Sequence, residues 1–413
     1  MTDKSLSCRG CGTTLSQTFV DLGEMPLANS YPTAADLDQP DRRYPLHARV
    51  CHDCFLVQVD AVVPSADIFS DYAYFSSYSQ SWVAHARRFA SMARERFALG
   101  GESLVVEVAS NDGYLLRHFV DDGVPVLGVE PAANVAAVAE AAGVPTMVRF
   151  FGRETADNLV ADGKAADLVV GNNVLAHVPD LNDFVAGLGA LIKPAGVISL
   201  EFPHLLRLME GVQFDTIYHE HFSYFSLIAL EPVLARHGLR LFDVETLATH
   251  GGSLRLFACH ADCDQHQDGP GLDAVRDAEH RASLDRLSAY TGFAARVAAV
   301  KDSLLTFLEA ANRDSKSVAA YGAAAKGNTL LNTCGVGTRL IDYVVDASPH
   351  KQGRYLPGSR LPIVAPDRLS ETRPDYVLIL PWNLCDEIIW QNSAVRDWGG
   401  RFVVPIPATT VLP

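Results

Sequence analysis

The feature that most constrains the fold is a pair of CxxC knuckles, Cys8-Arg9-Gly10-Cys11 and Cys51-His52-Asp53-Cys54. Each places two thiolates on one tight turn. Together they make a tetrahedral four-sulfur site whose closed shell leaves no position for a substrate. The segment between them is rich in Pro and Asp from Leu27 to Pro45 and has too little apolar periodicity to build a core. The metal is therefore structural, a staple for a module over residues 1–70, and zinc is the expected ion. His47 and His52 are the substitute ligands, and redox chemistry fits a single knuckle better than two. The scattered Cys259, Cys263, Cys334 and Cys385 read as packing residues or surface thiols. With no export signal, thiols rather than disulfides are expected, in a cytoplasmic protein.

A chain of 413 residues exceeds one core and implies two or three domains. No apolar stretch has the length of a membrane span. A net charge of −15 argues against a nucleic-acid partner, so any polyanionic ligand must meet a local basic pocket. A monomer or weak oligomer is expected.

Residues 71–245 carry a nucleotide-binding pattern. Leu104–Ser110 reads as a buried parallel strand, the turn Asn111-Asp112-Gly113 follows, and Val126–Glu130 is a second strand ending in an acid before Pro131. The turn lacks the three spaced glycines a pyrophosphate requires, and its acids repel a diphosphate. A ligand with ribose and no phosphate fits: S-adenosylmethionine. Glu130 is placed to accept the ribose hydroxyls, and Glu107 and Asp112 to face the ammonium. Ala109, Ser110, Asn111, Gly113 and Pro131 complete the expected cradle, with Tyr72, Ser77 and Tyr78 from an aromatic, hydroxyl-rich segment as a lid. Ala166–Asn173 is a further strand presenting Asn172 and Asn173, and His177 follows one turn later. Val197–Phe202 brings Glu201 to the same end of the sheet.

Tyr218-His219-Glu220-His221-Phe222-Ser223-Tyr224 packs ionisable groups among aromatics between a strand and a helix pattern, as suits a site that moves a proton beside an organic substrate. His219 and Tyr224 are expected to point into structure.

These motifs, with Gly251-Gly252-Ser253-Leu254-Arg255, resemble the sugar C-methyltransferases of deoxysugar pathways over essentially the whole chain. The resemblance implies an α/β enzyme in three parts. They are a zinc module, a class I methyltransferase core with a doubly wound sheet, and a C-terminal Rossmann-like domain holding a nucleotide-linked ketosugar. It also implies that Tyr218, Glu220, His221 and His177 form the active-site group. A thymidine-diphosphate 4-keto-deoxyhexose methylated at carbon 3 is the expected substrate, by resemblance alone.

Residues 246–315 read as a connecting strand, a loose polar loop and long helices, and 316–413 as the smaller nucleotide fold. His250, Gly251, Gly252 and Ser253 form a donor-rich loop for substrate. Lys326 and Asn328 follow a turn of small residues, and Lys326, Lys351 and Arg354 suit a diphosphate. Methylation of an unactivated ring carbon needs a base and an oxyanion donor. The expected roles are His221 as base oriented by Glu220 and Tyr218 as donor to the ketone, with Tyr218 as base relaying through His221 as the rival. Methylation at carbon 5, O- or N-methylation, and a non-catalytic zinc-finger interaction protein are the alternatives.

Overall fold

The computed structural model describes residues 6–60, 62–63 and 75–412. Strands Gln17–Met25 (β1), Tyr44–Val50 (β2) and Val57–Val59 (β3) form an antiparallel sheet beside the knuckles. Their inward residues do not make a private core. Phe19 stacks on Phe293 at 4.3 Å between centroids, and β1–β3 share one apolar cluster with the helix Phe293–Arg313 and the C-terminal sheet. The expected lack of a self-sufficient core is met by borrowing one.

The central sheet contains Val105–Val108 (β4), Val126–Glu130 (β5), Thr146–Val148 (β6), Ala166–Asn172 (β7) and Ile192–Pro203 (β8). After Ser223–Tyr224 (β9), Leu239–Leu247 (β10) and Ser253–His260 (β11) complete it. The order is β10-β11-β8-β7-β4-β5-β6, with β11 antiparallel to both neighbours and the β4, β5, β6, β7 and β8 ladders parallel. This is the class I methyltransferase arrangement. Every residue of β4 is buried, as a strand covered on both faces requires. Sequence reasoning put β11 in the connecting segment; its continuous pairing with β8, and its pairing with β10 across one bulge, make it part of this sheet. The polar loop ends sooner than expected, because Pro270 at the first helical position starts the helix Pro270–Arg281.

The C-terminal sheet is Val318–Tyr321 (β12), Val344–Val345 (β13), Ile363–Val364 (β14), Tyr376–Ile379 (β15), Arg401–Val404 (β16) and Thr410–Val411 (β17). Its order, β14-β13-β12-β15-β16-β17, is parallel except for β17. Both larger sheets reverse direction at their first strand, so each opens a ligand crevice at the carboxyl ends there: between β4 and β7, and between β12 and β15. Among the described residues no helix is long and apolar enough to cross a membrane.

β9 is part of neither larger sheet. It pairs with β3, Val57 opposite Tyr224, so the stretch Tyr218–Tyr224 is stitched to the zinc module.

Candidate active site

The four knuckle sulfurs converge. Cys8 and Cys54 lie 3.5 Å apart, as do Cys11 and Cys51, and all four lie within 4.8 Å of one another. Thiolates about 2.3 Å from one zinc stand about 3.8 Å apart by tetrahedral geometry, so the set fits the ion. His47 is not needed as a ligand, since its Nε2 sits 2.9 Å from the Thr18 hydroxyl. The knuckle also reaches toward the active site. Gln58 donates to Cys8 Sγ at 3.2 Å, the Arg9 amide donates to Gln58, and the Arg9 guanidinium donates to the Phe222 carbonyl at 3.0 Å.

At the β4–β7 crevice, Ala109, Asn111 and Gly113 all adopt positive φ, which folds the turn back over the strand ends. A Cβ on Gly113 would press on Val144 and Ala139 at 3.0 and 3.2 Å, and one on Gly128 would overlap the buried Ser110 hydroxyl at 2.4 Å. Glu130 accepts the amides of Asn111 and Ala132, both at 2.9 Å, Pro131 lying between strand and helix. Burial, and then the neighbouring Asp112 and Glu130, push the Glu107 carboxyl well up. Burial raises Glu130 too, against the two amides. Three acids crowded in a dry crevice favour a cationic ligand, and Asp112 Oδ1 and Asn172 Oδ1 are buried without a hydrogen-bond partner among the described residues. A sulfonium with an ammonium tail meets that demand.

The described end of the expected lid segment meets the cofactor turn through its backbone. The Ser76 amide donates to Asn111 Oδ1 at 2.8 Å and the Ser77 amide to Asp112 Oδ2 at 3.0 Å. Tyr78 turns outward, its hydroxyl 3.4 Å from His350 Nε2 in the C-terminal domain. Tyr72 lies outside the described residues.

Next to this crevice lies the group expected to move a proton. His221 Nδ1 is 2.9 Å from the Thr216 carbonyl and Nε2 is 2.7 Å from the Tyr218 hydroxyl. A carbonyl only accepts, so Nδ1 carries the proton and Nε2 accepts from Tyr218. His177 stands edge-on to His221, centroids 4.7 Å apart. His250, at φ 54°, reaches Asn173 at 3.3 Å. Burial depresses all three imidazoles. His177 and His250 fall to about 4, with the Lys326 charge adding to His250, and His221 is driven well below its ordinary value by burial, His177, His250 and Lys326.

Several expected roles need correction. Glu220 does not orient His221: its carboxyl accepts from Asn29 Nδ2 of the zinc module at 2.7 Å, and burial lifts it to about 7. The Thr216 carbonyl does the orienting, a partner that side-chain reasoning overlooks. Glu201 is fully buried and bound to His85 at 2.8 Å and Arg255 at 3.0 Å, so it braces the sheet rather than meeting substrate. The glycines of the 250–253 loop answer to packing. A Cβ on Gly251 would strike Trp382 at 2.5 Å and one on Gly252 would strike Arg207 at 2.7 Å, while Ser253 donates to Thr249. Gly251→Ala is accordingly expected to cost about 1–3 kcal/mol through strain and overlap, read as a lower Tm with a matching loss of turnover. Asn328 donates to Ala28 of the zinc module at 2.6 Å. Lys351 donates to the Ala323 carbonyl at 2.8 Å and the exposed Arg354 to that of Tyr31 at 3.3 Å, so both of these cations are engaged by backbone. His219 and Tyr224 are buried as expected.

Sequence reasoning missed Asn29, His85, Asp215, Trp382 and Asn383. The last two follow strand β15 at the β12–β15 crevice, a position the topology rule would have singled out.

Three family models match the chain. They are a putative zinc binding domain over residues 8–69, a methyltransferase domain over 82–244 and a C-methyltransferase C-terminal domain over 248–407. The chain is 38% identical over 405 residues to the C-methyltransferase NovU of Streptomyces niveus, covering 98% of this chain and 96% of that protein. A ubiquinone biosynthesis O-methyltransferase of Methylobacterium sp. (strain 4-46) is 33% identical over 123 residues, 28% of this chain and 48% of that protein. Among solved structures, the magnesium protoporphyrin IX methyltransferase of Synechocystis PCC 6803 overlaps 43% of this chain and 83% of its own at 16% identity and a TM-score of 0.36. With a near full-length relative and a model for each part, the chain belongs to the NovU-like C-methyltransferase family and is an S-adenosylmethionine-dependent methyltransferase with a four-cysteine zinc site.

Proposed function

We propose that this enzyme methylates a ring carbon beside the ketone of a thymidine-diphosphate 4-keto-deoxysugar after abstracting a proton from it. The observation that carries this reading is the Tyr218–His221 pair, 2.7 Å apart, with its tautomer set by Thr216. Bound S-adenosylmethionine supplies an electrophilic methyl group. The protein's task is to make the carbon nucleophilic.

With Nδ1 tied to a carbonyl, Nε2 is the basic atom and already accepts a hydrogen bond from the Tyr218 hydroxyl. This geometry favours the relay over direct attack by His221. The Tyr218 oxygen takes the carbon-bound proton while its own passes to Nε2, leaving an enolate and an imidazolium. Burial keeps that imidazole neutral beforehand. A ketone at carbon 4 acidifies carbons 3 and 5 alike, and carbon 3 is chosen on the resemblance. The test is mass spectrometry and NMR of products from a panel of nucleotide 4-ketosugars. Methyl transfer only to a hydroxyl or amine would overturn the reading.

The pH dependence follows from the depressed imidazoles. A neutral His221 is required, and its folded pKa lies below the ordinary ~6.5. The acid limb of kcat/KM is therefore expected below pH 6.5. Stability moves the same way: between ~6.5 and the folded value of about 4 for His177 and His250, the unfolded chain binds more protons. Tm should therefore fall as pH drops through that window, as scanning calorimetry at stepped pH would show.

A further inference from the structure

The relay leaves the ketone oxygen without the donor that Tyr218 would otherwise have been. We propose that Lys326 is that donor, a catalytic cation that stabilises the enolate oxygen. The assignment rests on the ketosugar reading above.

Lys326 opens the helix Ala325–Cys334 at the β12–β15 crevice. One turn on, Thr329 donates to the Ile217 carbonyl at 3.0 Å, so this end of the helix is pinned to the segment that leads into Tyr218. The Lys326 ammonium is half-buried, 4.7 Å over the Trp382 ring, and donates to the amide oxygen of Asn383 at 2.7 Å. Trp382 in turn donates to the fully buried Asp215 carboxylate at 2.7 Å. The tryptophan thus holds the cation and its counter-charge on one scaffold, and Gly251 seats the ring against the 250–253 loop. Asn383 is a neutral partner, which leaves the ammonium's charge and remaining protons for a ligand.

The chemistry calls for a cation here. When the carbon–hydrogen bond breaks, its electron pair moves into the ring and negative charge collects on the ketone oxygen. The neighbouring groups are neutral imidazoles and phenol, with Glu220 and Asp215 acidic. The Thr329–Ile217 bond and the Trp382–Asp215 bond set this end of the helix against the segment that leads into Tyr218, and the Lys326 charge adds to the burial that depresses His221 and His250. The same charge adds to burial, the main cause, in holding His221 unprotonated and ready to accept.

The test compares wild type with two neutral replacements, the apolar Lys326→Met and the polar Lys326→Gln. The first measurement is deuterium wash-out from the carbon beside the ketone of a thymidine-diphosphate 4-keto-6-deoxyhexose, without methyl donor. Loss of one oxyanion donor should slow exchange at saturating sugar by about 10²–10³-fold, with S-adenosylmethionine affinity unchanged. The second needs no substrate. Nitrogen NMR of the histidines should show His221 and His250 titrating at higher pH in both variants, with His177, Glu220 and Asp215 still in place around them. Imidazoles that do not move, a raised KM with the saturating exchange rate intact, or loss of S-adenosylmethionine binding in both variants would each overturn the assignment. Wild-type enzyme that exchanges none of the ketosugars, while the imidazoles do move, would instead sink the substrate reading.

Discussion

Tyr218→Phe and His221→Asn are each expected to slow deuterium wash-out by about 10²–10⁴-fold, the range of a positioned general base. The double variant should be little worse than either alone. Both residues serve one proton path, and removing either end breaks it, so their effects do not add. Phe at 218 deletes the oxygen that meets the carbon-bound proton and leaves Nε2 of His221 without its 2.7 Å partner. Asn at 221 removes the acceptor. Neither touches the β4–β7 crevice, so S-adenosylmethionine should bind with wild-type affinity in calorimetry. Undiminished exchange in both variants would end the relay assignment.

The second large effect is expected on stripping the metal. Treatment with a strong chelator under reducing conditions, or Cys11→Ser, should cut turnover by more than about 100-fold while the cofactor affinity changes little. Structural zinc contributes on the order of 10 kcal/mol to modules that cannot fold alone. Here the loss spreads through the Cys8–Gln58–Arg9–Phe222 chain and the β3–β9 pairing into the active-site loop. It also releases Asn29 from Glu220. Arg9→Ala separates the two roles of the knuckle. It keeps all four ligands, so zinc content by mass spectrometry should stay at one per chain, yet removing a charge-assisted hydrogen bond worth about 1.5–3 kcal/mol should still lower kcat by roughly tenfold or more. Full activity in Arg9→Ala would confine the knuckle to holding its own module.

Much of this architecture is written locally. The knuckles announce their metal because ligand spacing is a short-range property. Strands β4, β5 and β7 are legible because strands buried on both faces are continuous apolar runs, and the acids at their ends mark the cofactor crevice. What stayed hidden depends on which distant segments meet. Glu220 finds Asn29 across 191 residues, and Trp382 finds Asp215 across 167. No periodicity encodes either partnership. The misreading of Glu220 as the orienter of His221 came from adjacency in sequence, whereas a backbone carbonyl five positions upstream holds that ring. Sequence reasoning grouped Lys326 with Lys351 and Arg354 for a diphosphate, whereas the packing of its helix against Ile217 could not be read from the chain.

The pairing of β9 with β3 bears on how the chain is made. Both knuckles are made before the strand that covers their sheet and before the helix and sheet that complete its core. Their sheet then waits with the β3 edge open, Val57 and Val59 facing no partner, an invitation to wrong pairing. Arg9 and Phe222 are 213 residues apart, so the strand that covers this edge is synthesised only after most of the cofactor-binding half. The stretch Tyr218–Tyr224 is thus also the cover that ends that exposure during biosynthesis, and substitutions that spoil the β3–β9 pairing should lower the yield of folded enzyme.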